Sequence, residues 1–217
     1  MTAKKIISSS FLHIMSDKIN WQKMSEYQDL SRNNIKKFNK RLDWKKICSC
    51  QKLSEATMRE FKHKLKWSVV SKNQKMSEDF IIEFQNEVNW SQISSHQELS
   101  EEIIERFQDR VDWKKIFRYQ KLSEKMIEKF IDKVDWQIVW RYQKLSESFI
   151  RKNKDNAIWS FISKYQALSE SFIEEFKDEV FWIDIFSSQN ISENFAEKFS
   201  HMISKRKVLL FQKKYFS

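Results

Sequence analysis

Tryptophan recurs at one position in every 23 residues, and this position sets the frame for the other apolar positions of the chain. The eight tryptophans are Trp21, Trp44, Trp67, Trp90, Trp113, Trp136, Trp159 and Trp182. An aliphatic residue or methionine follows three residues after each of them, and glutamine follows seven residues after each. Offsets of zero, three and seven lie on one face of an α-helix, so each repeat is predicted to begin with a short amphipathic helix.

A second helix is predicted in the other half of each repeat. The motif Leu-Ser-Glu at 122–124 recurs at 53–55, 99–101, 145–147 and 168–170. Serine is a favoured N-cap, the leucine before it can pack against the first turn, and a glutamate in that turn is stabilised by the helix dipole. The apolar residues that follow, such as Phe172, Ile173 and Phe176, fit a helix as well. Asp43, Asp112 and Asp135 are predicted to cap the first helix in the same way.

Helices this short are not stable alone, so neighbouring repeats have to stack in order to bury their apolar faces. We therefore predict an all-α fold. It is an α-solenoid of eight 23-residue two-helix repeats at 21–204, with a half-repeat cap at 1–20 and another at 205–217. Leucine-rich repeats have a similar period, but no copy contains their alternating LxxLxL strand and asparagine turn.

The consensus W..I...Q.LSE.FI..F...VDW resembles the uncharacterised tandem repeats of proteins from large double-stranded DNA viruses. Matching positions include Gln120, Leu122, Ser123, Glu124, Phe130 and Trp136, and nearly the whole chain follows the pattern. The resemblance carries no activity, so it assigns no catalytic or binding residue. It implies a location in the host-cell cytoplasm or in a virion. The two cysteines, Cys48 and Cys50, form no disulfide framework, which is typical of a reducing compartment.

Composition excludes several classes of function. The chain has no glycine and no proline, which excludes a phosphate-binding P-loop, a dinucleotide fingerprint and a nucleophile elbow. Its four histidines, His13, His63, His96 and His201, do not converge on a metal site or a catalytic triad. No apolar run reaches the roughly 18 residues of a membrane span, and residues 1–20 fit the repeat better than a signal peptide. We expect a protein that is not an enzyme and has no cofactor, metal ion, membrane contact or small-molecule substrate.

Charge is divided between the two halves of the repeat. The net charge is +10, and the first helices with their following turns carry thirteen basic and four acidic residues. The basic offsets of one, two, five and eight point away from the core, which predicts a basic stripe on the outer surface. Such a stripe could serve only solubility, or it could bind an acidic protein face or a nucleic-acid backbone. Tyrosines at offset six could stack on bases or line the rim of the core.

The basic stripe is uneven, because the repeats beginning at Trp90 and Trp182 contribute no basic residue to it. This unevenness favours a protein partner over nucleic acid. The function predicted from the sequence is therefore a repeat scaffold that mediates protein–protein interaction, and the alternative is a nucleic-acid-binding array that uses the stripe.

One copy, at 136–158, departs from the pattern. Asn153 replaces the usual phenylalanine, and Trp140 adds a second tryptophan. Trp140 could turn inward and fill the space of the missing ring, or it could be exposed beside Arg141 and Tyr142 as an anchor of a docking site. The predicted partner-binding residues are Trp140, Arg141, Tyr142, Lys114, Lys115, Arg118, Lys121 and Lys144.

Overall fold

The structure, a computed structural model, describes residues 9–203, and the described part of the chain is entirely helical. The half-repeat predicted at 205–217 lies outside the described residues, and so do residues 1–8 of the cap predicted at 1–20. Helix α1 is Ser9–Ile14, ahead of the first tryptophan. We number the repeats 1 to 8, from the one that begins at Trp21 to the one that begins at Trp182.

Each repeat contains two helices, as predicted. The first helices are α2 Trp21–Tyr27, α4 Trp44–Cys50, α6 Trp67–Asn73, α8 Trp90–His96, α10 Trp113–Tyr119, α12 Trp136–Tyr142, α14 Trp159–Tyr165 and α16 Trp182–Ser188. The second helices are α3 Arg32–Phe38, α5 Glu55–Glu60, α7 Glu78–Glu83, α9 Glu101–Arg106, α11 Glu124–Lys129, α13 Glu147–Lys152, α15 Glu170–Glu175 and α17 Glu193–Phe199. Short 3-10 turns follow some of them at Lys62–Lys64, Ile131–Lys133, Lys154–Asn156 and Ser200–Met202.

The chain divides into two compact units, Met1–Asp112 and Trp113–Ser217, and the division falls between repeats 4 and 5. In the first unit, the first helices α2, α4, α6 and α8 pack side by side in chain order. In the second unit, α10, α12, α14 and α16 do the same. The described residues form α-helices and short 3-10 turns without a strand, and the regular packing of successive helices confirms the predicted α-solenoid.

Side-chain caps start the helices at the predicted residues. The serine of the Leu-Ser-Glu motif accepts a hydrogen bond from the backbone N–H three residues later, as Ser146 does from Phe149 over 3.2 Å. Asp43 and Asp135 accept first-turn N–H bonds at the start of α4 and α12. Each of these bonds satisfies an amide that the helix itself leaves without a partner.

The glutamine at offset seven ends the first helix and joins it to the preceding repeat. The Nε2 of the buried Gln143 donates to the carbonyl oxygens of Phe117, at 2.6 Å, and Gln120, at 2.8 Å. Its Oε1 accepts from the Leu122 N–H at 3.2 Å. The same three bonds form at Gln51, Gln74, Gln97, Gln166 and Gln189. This amide therefore bonds backbone groups of the preceding repeat that would otherwise lack partners.

The glutamate that follows the N-cap serine of the second helix also connects repeats, a role that the sequence did not predict. Glu78 Oε1 accepts from the backbone N–H of Ser100, the N-cap residue of the next repeat, at 2.6 Å. The same bond links Glu55 to Ser77, Glu124 to Ser146, Glu147 to Ser169, and Glu170 to Ser192. In an ordinary capping box the glutamate belongs to the helix that it caps, whereas here the preceding repeat supplies it.

The repeated tryptophan packs on the phenylalanine that ends the second helix of its own repeat. The ring centroids are 4.5 Å apart at Trp113 and Phe130, and 4.6–5.0 Å apart in the other repeats that contain this phenylalanine. This tilted contact fills the space between the two helices, so the tryptophan serves the core.

Repeat 6 lacks that phenylalanine, and Trp140 turns into its core. The Trp140 side chain is fully buried, stacks on Trp136 with centroids 5.1 Å apart, and donates its Nε1 hydrogen to the Asn156 carbonyl at 2.9 Å. Asn153 is also buried, and its Nδ2 donates to the Phe149 carbonyl at 3.0 Å. The interpretation of Trp140 as an exposed anchor is therefore wrong, because the indole gains more from burial with its N–H satisfied. The alternative, in which it fills the core, is confirmed.

Replacing the Trp140 side chain tests this account of the core. Trp140→Ser should lower the free energy of unfolding by about 3–5 kcal/mol, because it leaves a cavity beside Trp136. Adding Asn153→Phe restores the serine–phenylalanine pair of repeats 1, 3, 4 and 7, and should recover part of the loss. Chemical denaturation of the two variants measures both effects. A double variant no more stable than Trp140→Ser would contradict the account.

The contact between Glu55 and Ser77 makes stability depend on pH. Burial alone would raise the pKa of Glu55, but hydrogen bonds from the Ser77 N–H and hydroxyl, together with the charge of Arg59, hold that pKa below its ordinary value. The ionised carboxylate therefore stabilises the fold above the unfolded-state pKa of about 4.3, and this contribution is lost as the pH falls through the lower folded-state pKa.

Glu55→Gln should accordingly lower the melting temperature at pH 7, and its difference from wild type should vanish in strongly acidic solution. Thermal unfolding over a pH series measures this difference. Glu98→Gln is the matched control, because Glu98 is exposed and has no hydrogen bond or ion pair within the described part of the chain. A difference between Glu55→Gln and wild type that persists unchanged at low pH would contradict the assignment.

Candidate functional site: an arginine–tyrosine ladder on repeats 5 to 7

A cleft in the first unit is lined by residues that the repeat already uses. This cleft of about 450 Å³ includes Gln74, Met76 and Gln97 in its lining, and both glutamine amides there are bonded to backbone. Within residues 9–203, no group of three or more His, Cys, Asp or Glu side chains is placed to hold a metal ion. None of the described helices has the length and apolarity needed to cross a membrane.

Repeats 5 to 7 carry positive charge and no acidic residue on their first helices and the turns that follow, as do repeats 2 and 3. Residues 113–121, 136–144 and 159–167 contain seven basic residues and no acidic residue. In the corresponding parts of repeats 1, 4 and 8, acidic residues are present at Glu26, Asp29, Glu98 and Asp184. Six of the seven basic side chains are exposed: Lys114, Arg118, Lys121, Arg141, Lys144 and Lys164. A surface of one sign therefore runs across three consecutive repeats.

Two arginines of this surface lie between tyrosines of consecutive repeats. The Arg118 guanidinium is 5.2 Å from the ring centroid of Tyr119 and 5.0 Å from that of Tyr142. The Arg141 guanidinium is 5.3 Å from the centroids of both Tyr142 and Tyr165. Each arginine thus contacts the tyrosine of its own repeat and the tyrosine of the next, and these cation–π contacts hold the guanidinium groups in place.

A lysine continues the series in repeat 7. Lys164 Nζ lies 5.6 Å from the Tyr165 ring centroid, and Phe161 stacks on the same ring at 5.9 Å. We call the six residues Arg118, Tyr119, Arg141, Tyr142, Lys164 and Tyr165 the arginine–tyrosine ladder. Its tyrosines remain accessible, with exposed fractions of 53%, 38% and 38% in chain order.

The ladder follows from adjacent positions in the repeat. A basic residue at offset five and tyrosine at offset six meet the corresponding residues of the next repeat because the first helices pack side by side. Repeat 1 also has an exposed tyrosine, Tyr27, but its offset five is Glu26. Lys46 donates a hydrogen bond to that carboxyl at 2.8 Å and holds its pKa below the usual range. Only repeats 5 to 7 combine both residue types, so the ladder is local.

The two arginines of the ladder have no acidic partner. Over the described range, neither Arg118 nor Arg141 has a carboxylate oxygen within 4 Å, whereas Arg151 on α13 bridges both Glu147 and Glu175. A guanidinium that lies over aromatic rings still has its N–H donors along its edges. Those edges can donate two parallel hydrogen bonds to a planar anion.

The structure brings together some of the predicted site residues and separates others. Arg118, Arg141 and Tyr142 belong to the ladder, and Lys121 and Lys144 are exposed directly after its helices. The other predicted residues are Lys114, Lys115 and Trp140. Lys114 and Lys115 lie at the other end of α10, where Lys114 is 4.0 Å from Asp135, and Trp140 is buried.

Three ladder residues, Tyr119, Lys164 and Tyr165, are missing from the predicted set. The sequence placed the tyrosines at the edge of the stripe without pairing them with arginine. The signal that could have found them is a basic residue at offset five followed by tyrosine at offset six in three consecutive copies.

Comparisons of the chain with protein-family models, curated proteins and solved structures find no significant match.

Proposed function

We propose that the protein is a non-enzymatic repeat scaffold, and that its second unit binds a partner protein through the arginine–tyrosine ladder. The observation that carries this proposal is the pair of exposed guanidinium groups, each held between two tyrosines and without an acidic partner in the described structure. Arginine and tyrosine are among the residues enriched in interface hot spots. Side chains that are already ordered also lose less conformational entropy on binding.

Solubility alone does not account for this surface. A soluble surface is served by mixed charges, as on the second helices, where Arg59 and Glu83 form an ion pair at 2.7 Å. The first helices of repeats 5 to 7 and the turns that follow them instead carry seven basic residues and no acidic residue. Like charges that are held close together repel one another in the free protein, and an acidic partner relieves that repulsion.

A nucleic acid is the second candidate partner, and the exposed tyrosines beside basic residues are the observation in its favour. The contacts of the ladder weigh against it. Bases stack on open ring faces, whereas Tyr142 already lies under two guanidinium groups and Tyr165 packs against Phe161. The pairing of a basic residue with tyrosine is also confined to three repeats, as a limited protein contact requires. A protein partner is therefore the preferred proposal.

The proposed setting is a reducing compartment, either the host-cell cytoplasm or a virion. Both cysteines are free thiols, with Cys48 buried and Cys50 exposed. Burial raises the pKa of the Cys48 thiol, which keeps it protonated and unreactive. The host cell and the virion are proposed because the repeat consensus resembles that of proteins from large double-stranded DNA viruses.

Charge reversal on the ladder tests the proposed function. Arg118→Glu with Arg141→Glu should abolish capture of the protein partner from native cells, because both guanidinium groups are lost. The matched control is Arg106→Glu with Arg110→Glu, which changes the charge equally and removes two arginines that lie over Phe107 and Trp90. Capture is measured by mass spectrometry after nuclease treatment, and circular dichroism verifies that each variant is folded.

The control should retain the partner that the ladder variant loses. Equal capture by wild type and the ladder variant would refute a role for the ladder. Capture that disappears with nuclease treatment in the wild-type protein would instead identify the nucleic-acid alternative as correct.

A further inference from the structure

We propose that the arginine–tyrosine ladder binds an extended acidic peptide segment, with one carboxylate at each of its three cations. This inference rests on the proposed function and specifies the chemistry of the partner. Arg118, Arg141 and Lys164 are exposed, occupy the same position in three consecutive repeats, and have no carboxylate within 4 Å in the described structure. The surface therefore offers three positive charges in a row and supplies no anion of its own.

The shape of the guanidinium group favours a carboxylate. Tyr119 and Tyr142 lie against Arg118, and Tyr142 and Tyr165 lie against Arg141, so the orientation of each guanidinium plane is restricted. A restricted planar donor fits a planar acceptor that takes two parallel hydrogen bonds, which is the geometry of an Arg–carboxylate pair. Peptide glutamate and aspartate side chains present this group.

The spacing of the ladder favours an extended peptide. Successive cations are separated by one repeat, and helices packed side by side lie roughly 8–10 Å apart. A polyproline II chain advances about 3.1 Å per residue, so every third side chain returns to the same side after about 9 Å. Alternate residues of a β-strand are only about 7 Å apart. The period of the ladder thus fits acidic residues at every third position of an extended segment.

The tyrosines explain why position matters in addition to charge. Tyr142 contacts both guanidinium groups, so it orders Arg118 and Arg141 together. Removing its ring leaves the charge of the surface unchanged but releases both arginines. If the ladder recognises spaced carboxylates, binding depends on this uncharged side chain as well as on the cations.

Fluorescence anisotropy with labelled synthetic peptides tests the proposal on the full chain. One heptapeptide carries glutamate at positions one, four and seven, and a second has the same composition with its glutamates consecutive. The spaced peptide should bind more tightly. Arg118→Gln with Arg141→Gln should weaken its binding by about tenfold or more, since two charge-assisted contacts are lost. Arg106→Gln with Arg110→Gln should leave it unchanged.

Variants of Tyr142 test whether binding of the spaced peptide requires arginines held in place by tyrosine or only the positive charge of the surface. Tyr142→Ala should weaken binding of the spaced peptide severalfold, and Tyr142→Phe, which keeps the ring, should retain it. If the two peptides bind equally tightly, the proposed spacing of the carboxylates is wrong. If Tyr142→Ala binds the spaced peptide as tightly as the wild-type protein does, the proposed ordering of the arginines by Tyr142 is wrong. Tighter binding of a seven-nucleotide oligothymidine that is lost in the arginine variant would assign the ladder to nucleic acid.

The peptide assay and the capture experiment fail in distinguishable ways. If the captured protein depends on Arg118 and Arg141 but neither peptide binds, the proposed function stands and the acidic-peptide inference is overturned. If capture is also indifferent to the two arginines, both the proposed function and this inference fall.

Discussion

The buried glutamine amide at offset seven is the interaction on which this repeat depends. A seven-residue helix such as α12 leaves its last carbonyl groups without partners, and it is too short to be stable alone. In each unit, the glutamine of one repeat donates to two of these carbonyls in the preceding repeat and accepts one N–H from the turn that follows. Helix termination and repeat stacking are thus achieved by one side chain.

This arrangement also accounts for a chain without glycine. Helices commonly end with a left-handed residue that glycine adopts most easily, yet the described residues contain no positive φ. The first helices end instead at an extended glutamine, such as Gln143 with φ −92° and ψ 148°. The glutamine and glutamate bonds recur between neighbours in both units, whereas the arginine–tyrosine ladder occurs only in repeats 5 to 7. Stacking does not require the ladder, which is why we assign it to binding.

The fold could be predicted from the sequence, and the candidate site only in part. Tryptophan, glutamine and the Leu-Ser-Glu motif repeat in register, so helix positions and the core face follow from periodicity alone. Trp140 was wrongly included among the binding residues because most other copies have serine or cysteine there, although offset four lies on the buried face, as Ser71 and Ser94 show. The basic residue and the tyrosine of the ladder recur at offsets five and six of three copies, but the contact of Arg118 with Tyr142 of the next repeat depends on how the first helices pack side by side.

Exchanging the amide of Gln143 for a carboxyl group is the most direct test of the central role of this side chain. Gln143→Glu keeps the size and one acceptor but removes the donors to Phe117 and Gln120, and should cost about 3 kcal/mol or more at pH 7. Burial against carbonyl oxygens should raise the pKa of the new carboxyl, so part of the loss should be recovered at pH 5. The control is Gln137→Glu on the exposed face of the same helix. Denaturation curves in which both variants show the same small, pH-independent change would contradict the account.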